Sequence, residues 1–295
     1  MAATSNARWI FASHVAKTLL QLGVLAILSR LLGAADYGLM AMAMVVVAMG
    51  QILQDMGTSA VIVQKQVLDE TLKSTTFWLN LAVGVAILLM LSGAASIFAG
   101  TFGSAGLAPV LTMLALLFPI QSAGAVHQAL LERESRFRAI AAIELASGVA
   151  GSAAGILLAL QGWGVNALVW QVIAPAAVAT VLYWACSRGR PALLWSPAAL
   201  KEVWWFGAHL TAFTVVGFFS RHADAFIVGR LLGETLLGIY SQALRLMTFP
   251  LHAFTFVAGR ALFPVMSRQQ GDLARMAALY WRALNVVAAL TVPLL

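Results

Sequence analysis

The chain has 295 residues, of which 61% are hydrophobic and only 10% are charged. A soluble globular chain carries about 25% charged residues, so this composition excludes a soluble enzyme and a disordered chain, and the single cysteine, Cys186, excludes a secreted disulfide scaffold. Instead it favours a polytopic helical membrane protein, in which the net charge of +7 reflects membrane topology and not nucleic-acid binding.

Apolar segments recur along the chain at short intervals and predict about nine transmembrane helices. Each needs about 20 mostly apolar residues to cross the hydrocarbon core. Transmembrane β-strands are not expected, because runs such as 81–100 are continuously apolar and do not alternate in polarity. The predicted helices are 11–32, 38–62, 75–99, 104–131, 139–160, 163–186, 203–232, 236–263 and 277–295.

Basic residues between the predicted helices are unevenly distributed. Eleven lie at the N-terminus or in the connections after helices 2, 4, 6 and 8, against two, Arg30 and Arg230, in the other connections. Basic loops stay in the cytoplasm, so the N-terminus is predicted to be cytoplasmic. The eleven are Arg8, Lys65, Lys73, Arg133, Arg136, Arg138, Arg188, Arg190, Lys201, Arg268 and Arg275.

Two segments that lie 200 residues apart share a motif. SRLLGAADYGLMAMA (29–43) and GRLLGETLLGIYSQA (229–243) both carry Arg-Leu-Leu-Gly and, five residues after that glycine, a second one. Six helices separate the two segments, so both copies run in the same direction. This predicts a parallel repeat about an axis along the membrane normal, as in two-lobed transporters. The alternative is a recurring Leu/Gly turn of low complexity.

The repeat predicts how the chain is divided. Residues 1–186 are expected to form an N-terminal lobe of six transmembrane helices, 187–202 a cytoplasmic linker, and 203–295 the first three helices of a C-terminal lobe. A second copy of six helices would need three more. We therefore expect that the chain, which stops at TVPLL inside an apolar run, is C-terminally truncated.

The same segments resemble a known family. SRLLGAADYGLMAMA followed by DMGTSAVIVQK is similar to the first two helices of bacterial polysaccharide and O-antigen flippases, within the multidrug/oligosaccharidyl-lipid/polysaccharide exporter superfamily. Residues 224–267 resemble a second family pattern of spaced glycines followed by two prolines. The positions that carry these patterns are Gly33, Gly38, Asp224, Gly229, Gly233, Gly238, Tyr240, Pro250 and Pro264.

The resemblance implies a multi-pass transporter of the bacterial inner membrane. Such a protein would move a lipid-linked oligosaccharide, typically on undecaprenyl pyrophosphate, to the outer leaflet by alternating access between two lobes. It would serve polysaccharide or lipopolysaccharide (O-antigen) biosynthesis. Its partners would be membrane lipids and a polysaccharide polymerase or other assembly proteins, with no enzymatic activity and no cofactor. The five histidines show no metal-ligand spacing, so no metal site is predicted.

Charged residues inside predicted helices are the candidate site residues, because a charge in the membrane is costly and must face the interior, pair or reach an interface. Arg245 and Lys17 are able to present cations to a pyrophosphate. The alternatives are an interior ion pair for Arg245 and snorkelling to the headgroups for Lys17. Arg221, a third cavity candidate, lies three residues before Asp224, so the two share a helix face and can neutralise each other. Asp224 is otherwise a candidate for proton or cation coupling.

Two other functions stay open. A cation-coupled multidrug exporter of the same superfamily would favour an apolar cavity with one or two acids, whereas five intramembrane bases against three acids favour an anionic substrate. A membrane glycan polymerase or ligase would need a sizeable outer loop, and predicted outer links such as GTFGS are short. The glycine-rich stretch 148–155 predicts close helix packing and no site.

Overall fold

The computed structural model describes residues 19–54, 58, 62–63, 68–187, 189–197, 222–248, 281 and 285. Across these ranges the chain forms α-helices and short turns, without a strand. The chain divides into two compact units, Met1–Gly238 and Ile239–Leu295. In the second unit the described segment 239–248 is helical.

The described part of the first unit contains seven helical elements and the beginning of an eighth. Their bounds are α1 Leu19–Leu31, α2 Ala34–Gln54, α3 Glu70–Phe102, α4 Leu107–Ala115, α5 Leu117–Arg133, α6 Phe137–Leu160, α7 Val165–Cys186 and α8 222–248. Helix α8 continues into the second unit. A φ of +80° at Gly233 interrupts α8 where the sequence predicts a break between two helices.

Five helical segments in the described residues are long and apolar enough to cross a membrane: α2, α3, α4 with α5, α6 and α7. This confirms an all-α polytopic membrane protein. The count of nine helices, the second lobe and the linker boundary at 187–202 stay predictions, because most of 198–295 lies outside the described residues.

The outer surface of these helices has the character of a lipid-facing surface. Leu89 and Ile97 on α3 and Val181 on α7 are 67%, 69% and 66% exposed. Large apolar side chains exposed along several helices would be an aggregation liability in water, whereas lipid chains cover them at no cost. The buried apolar residues, among them Met42, Leu111 and Phe118, lie between the helices instead.

Two helices begin earlier than the sequence predicts, for local reasons. The Asp36 carboxylate accepts the Gly33 N–H at 3.0 Å, which satisfies a free donor at the start of α2. Helix α3 starts at Glu70, whereas the prediction placed its start at residue 75. The difference arises because the first turn of α3 is polar, and a prediction from hydropathy leaves such a turn out. Its 33 residues extend for about 50 Å, beyond a hydrocarbon core about 30 Å thick.

The predicted fourth helix, 104–131, is present as two helices that follow each other across Leu116. Pro119 has no N–H to donate to the preceding turn. The turn tightens there, with the Leu116 N–H donating to Met113 O at 3.2 Å. The two pieces together make one span of 27 residues, Leu107–Arg133.

Helices α6 and α7 pack closely through small residues, as the glycine-rich stretch predicts. A Cβ on Gly151 would lie 2.7 Å from the Pro175 ring and 2.9 Å from Gln171 O, and one on Gly155 would lie 3.0 Å from Gln171 Cβ. Because no side chain stands between them, the two backbones approach each other directly.

The segment 189–197 folds back onto the start of α3. Its Ala192 N–H donates to Ser74 Oγ at 3.0 Å, and its Ser196 N–H donates to Thr75 Oγ1 at 3.1 Å. The Trp78 indole N–H donates to Ala192 O at 2.9 Å. Ser74 and Thr75 are fully buried, so these bonds satisfy hydroxyls that lie away from water.

Candidate functional site

A polar cavity of about 570 Å³ lies within the first unit, among α2, α3, α5, α6 and α7. Its volume falls in the range of about 300–1,000 Å³ that small-molecule sites occupy. Polar side chains inside an apolar bundle are costly and mark functional sites. Those that line it are Gln51, Gln54, Thr58, Asn80, Gln121, Ser122, Gln128, Glu132, Glu144, Ser147, Thr180 and Tyr183.

Helical spacing brings these side chains together. Gln121, Gln128 and Glu132 follow each other on α5 at intervals of seven and four residues, which places them on one face of the helix. Gln51 and Gln54 share a face at the end of α2. The polar cavity is therefore built from one polar stripe on each of several otherwise apolar helices.

Two carboxamides of the polar cavity are oriented by hydrogen bonds to the protein. Gln54 Nε2 donates to Phe118 O at 2.9 Å and to Ser122 Oγ at 2.8 Å. Gln128 Nε2 donates to Glu132 Oε1 at 2.9 Å. Both N–H groups of Gln54 are used in this way, so the side chain has only its amide oxygen, an acceptor, left for further hydrogen bonds.

Replacing Gln54 with leucine is expected to destabilise the first unit by about 1 kcal/mol, because interhelical hydrogen bonds in membranes are worth about 0.6–2 kcal/mol. Leucine retains the side chain's bulk but makes neither bond to α5. Thermal unfolding of the purified protein in detergent checks this. Leu89→Ala, on the exposed face of α3, serves as the control and should leave the unfolding temperature nearly unchanged.

The charge of the polar cavity differs from what the charged residues of the sequence suggest. Among the described residues that line it, Glu132 and Glu144 are acidic and none is basic. The prediction of cavity residues rests on arginine and lysine, whereas the lining consists mainly of carboxamides, hydroxyls and these two acids.

The predicted site residues lie elsewhere or outside the described residues. Arg245 is exposed on the α8 segment of the second unit, and Asp224 is partly buried in the α8 segment of the first. Tyr240, also partly buried, belongs to the second unit. The roles given to all of them stay predictions. Lys17, Arg221, Pro250 and Pro264 lie outside the described residues.

The polar cavity lies toward one end of the bundle. This end is formed by the C-termini of α2, α5 and α7 and by the N-termini of α3 and α6, and most of the lining residues come from these halves of the helices. Basic side chains are concentrated at the same end. They are Lys73, Arg133, Arg136, Arg138 and Arg190.

At the opposite end the two copies of the sequence repeat cross each other. A Cβ on Gly38 would overlap the main chain of Glu234, and a Cβ on Gly238 would overlap the main-chain carbonyl of Ala34. Residues 34 and 38 are related to 234 and 238 by the 200-residue offset, so the contact is reciprocal. We call these four residues the glycine crossing. A two-fold relation between the copies would produce a reciprocal contact of this kind, and the parallel repeat itself stays a prediction.

Further contacts surround the glycine crossing. Ser104, in the turn between α3 and α4, donates from its hydroxyl to Glu234 Oε2 at 2.7 Å. The rings of Phe102 and Phe226 lie edge to face with centroids 5.2 Å apart. A Cβ on Gly229 would come within 3.2 Å of the Phe102 ring. The motif glycines Gly38, Gly229 and Gly238 thus permit close approach, and Gly233 provides the positive φ.

An apolar cavity of about 400 Å³ lies between α2, the end of α3 and the first turns of α8. Apart from His222, its lining is hydrocarbon and aromatic. The residues are Val45, Val46, Met49, Phe98, Phe102, His222, Ala223, Phe226 and Ile227. Helix α2 therefore carries residues of the polar cavity near its C-terminus and residues of an apolar cavity nearer its middle.

Apolar spans, lipid-facing side chains and an interior polar cavity define a polytopic helical membrane protein. The chain matches the family described as "Polysaccharide biosynthesis protein" over residues 27–295, and it belongs to that family. The match confirms the resemblance to polysaccharide and O-antigen flippases found in the sequence.

Several curated proteins are similar to nearly the whole chain. The teichuronic acid biosynthesis protein TuaB of Bacillus subtilis is 26% identical over 99% of the chain and 61% of its own length. The lipopolysaccharide biosynthesis protein WzxC of Escherichia coli is 25% identical, with 99% and 60% covered. The succinoglycan biosynthesis transport protein ExoT of Rhizobium meliloti is 28% identical, with 99% and 59% covered.

The chain spans about 60% of the length of these relatives. No solved structure matches it.

Proposed function

We propose that the protein is a flippase-type transporter that moves a lipid-linked oligosaccharide across the bacterial inner membrane for polysaccharide biosynthesis. The observation that carries the proposal is a polar cavity enclosed by lipid-facing helices. A hydroxyl-rich headgroup cannot enter hydrocarbon without losing its hydrogen bonds to water. Carboxamides and hydroxyls along the polar cavity can replace those bonds during the passage. The names of the relatives, which include a transport protein, agree with this role.

The different character of the two ends of the bundle supports alternating access as the mechanism. The polar cavity lies toward the end that carries the basic residues, which the distribution of charge assigns to the cytoplasm. The glycine crossing holds the two repeat copies together at the other end. In this conformation the headgroup would enter from the cytoplasm, and release would require the crossing to separate. The N-terminus is cytoplasmic in this arrangement.

We assign the remaining predicted residues within the same proposal. Arg245 and Lys17, with Arg221, would meet the pyrophosphate, because guanidinium and ammonium groups bind phosphate through charge-assisted hydrogen bonds. Asp224 would couple transport to a proton or cation. A polysaccharide polymerase or another assembly protein would receive the glycan on the outer side.

A cation-coupled multidrug exporter is the second candidate. The observation in its favour is the presence of two carboxylates and no base among the described lining residues of the polar cavity. Drug exporters would be expected to combine such acids with apolar walls, whereas this cavity is lined by carboxamides and hydroxyls. The lining therefore favours the glycan.

Expression of this protein in a strain that lacks its O-antigen or capsule flippase is expected to restore surface glycan, as measured by glycan immunoblotting. Arg245→Ala and Lys17→Ala should each lower the restored amount, because each removes a cation from the path of the pyrophosphate. Arg30→Ala, which removes an exposed cation near the end of α1, is the matched control.

Full activity of both variants would refute the role of Arg245 and Lys17. The multidrug exporter would be favoured if the unmodified protein failed to restore glycan and if its expression made the cells resistant to cationic drugs.

A further inference from the structure

The lipid-facing side of α3 continues beyond the apolar part of the helix. Its exposed residues recur three or four positions apart, which places them on one helix face. They include Ala82, Val85, Leu89 and Gly93. The same spacing leads back to Trp78 and Thr75, with Ser74 beside them. All three side chains hydrogen bond to segment 189–197, so the segment covers the N-terminal continuation of the lipid-facing side.

The covered turns of α3 lie at the level of the lipid headgroups. The apolar run of α3 begins at residue 81. At a rise of 1.5 Å per residue, Trp78 lies about 4.5 Å and Thr75 about 9 Å beyond the start of that run. The headgroup layer extends for about 5–8 Å on each side of the hydrocarbon core. A segment that contacts Trp78 and Thr75 is therefore placed at this layer.

Three apolar side chains of the segment are exposed. Ala192 and Ser196 hold the segment on α3, and Leu193, Leu194 and Trp195 lie between these two points. Their side chains are 88%, 44% and 53% exposed. Such a cluster is unfavourable in water. Leucine and tryptophan are, in contrast, the residues with which interfacial segments enter the boundary between headgroups and acyl chains.

We propose that segment 189–197 is an interfacial membrane anchor, in which Leu193, Leu194 and Trp195 insert among the lipid headgroups and upper acyl chains. Lipid is the occupant because the segment lies on the lipid-facing side of α3 and continues that surface. The hydrogen bonds to α3 already fix the segment, so its insertion costs little conformational freedom. The exposed Arg190 can in addition donate to lipid phosphates. The anchor does not depend on the flippase function.

Spin labels on the full chain test the anchor. In a Cys186→Ala background, a single cysteine is introduced as Leu193→Cys or Trp195→Cys and is labelled with a nitroxide. The protein is placed in nanodiscs that contain equal parts of phosphatidylcholine and phosphatidylglycerol. Power-saturation EPR compares how often the label collides with oxygen, which partitions into lipid, and with a water-soluble nickel complex.

Two reference positions calibrate the measurement. Glu134→Cys is exposed in the turn after α5, at the same end of the bundle, and Leu89→Cys lies on the lipid-facing side of α3. We expect the oxygen-to-nickel ratio at positions 193 and 195 to be several-fold higher than at 134 and lower than at 89.

A substitution within the cluster isolates its role. With the label at position 195, Leu193→Asp should lower the ratio several-fold toward the value at 134, because a carboxylate is costly among lipid chains. The matched variant Leu193→Ile should leave the ratio unchanged. A label at position 89 should give the same ratio with and without Leu193→Asp, which shows that the bundle remains folded.

Three results would overturn the anchor. Ratios at positions 193 and 195 equal to that at 134 would place the cluster in water. Low access of both reagents would mean that protein covers the cluster, either another part of this chain or a second copy. An unchanged ratio in Leu193→Asp would show that Leu193 does not hold the segment in the lipid.

Discussion

Replacement of Gly38 by leucine is expected to lower glycan transport strongly, because it destabilises the closed state at the glycine crossing. The added side chain would overlap the main chain of Glu234, and a main chain cannot rotate aside as a side-chain tip can. Overpacking of this kind costs about 1–3 kcal/mol. A penalty of that size lowers the population of the closed state about 5- to 150-fold.

The reciprocity of the glycine crossing makes the prediction sharper. Gly238→Leu should have a similar effect, since its side chain would overlap the main-chain carbonyl of Ala34. The control is Gly93→Leu on α3, where a Cβ meets nothing within 4 Å. Glycan restoration in the flippase-deficient strain is measured for all three, with membrane abundance determined by immunoblotting.

Full transport by Gly38→Leu and Gly238→Leu at normal abundance would contradict the role of the crossing. An additional measurement separates folding from closure. In a Cys186→Ala background, Ser104→Cys lies beside Glu234 and reports access to the crossing. Its labelling by a membrane-impermeant maleimide should increase in Gly38→Leu and stay unchanged in Gly93→Leu.

Hydropathy was sufficient to predict the five spans that the described residues contain, because a helix that faces lipid must be apolar over about 20 residues. The predicted span 163–186 and the observed α7, Val165–Cys186, differ by two residues at one end. The bounds of α2 and α3 were harder to predict. They depend on the Asp36 cap and on a polar first turn of α3, which hydropathy does not register.

The repeat singles out the motif glycines in the sequence, whereas their contact could not be predicted. Identical spacing at a 200-residue offset marks Gly38 and Gly238 as related positions. That they lie against each other's helices depends on how distant segments pack, and Ser104 and Glu234 join the crossing only in three dimensions. The contact would have been expected only under the further assumption that a two-fold axis relating the two copies passes through the motif.

The polar cavity could not be predicted from the charged residues, because carboxamides and hydroxyls form most of its lining. Charges are the most expensive groups in a membrane and are therefore the strongest signal of a site in the sequence. Gln54 and Gln128 do stand out as amides at helical spacing within apolar helices. Whether such a residue faces a cavity depends on the rotation of its helix, which contacts such as Gln54 with Ser122, 68 residues away, determine.

Gly151 and Gly148 provide a matched pair with opposite expected effects, although they lie three residues apart on α6. The Cβ of Gly151→Ala would lie 2.7 Å from the Pro175 ring and 2.9 Å from Gln171 O. Both are rigid, so α6 and α7 must move apart. We expect a destabilisation of about 1–3 kcal/mol, the usual cost of overpacking.

Gly148→Ala should be neutral or stabilising, because its Cβ meets only Leu20 Cδ2 at an ordinary contact distance of 3.9 Å. Alanine also favours the helix over glycine by about 0.5–1 kcal/mol. Thermal unfolding of both variants in the same detergent measures the difference. If Gly151→Ala were as stable as Gly148→Ala, the close approach of α6 and α7 would be wrong. The wall of the polar cavity, to which these two helices contribute Glu144 and Tyr183, would then require a different arrangement.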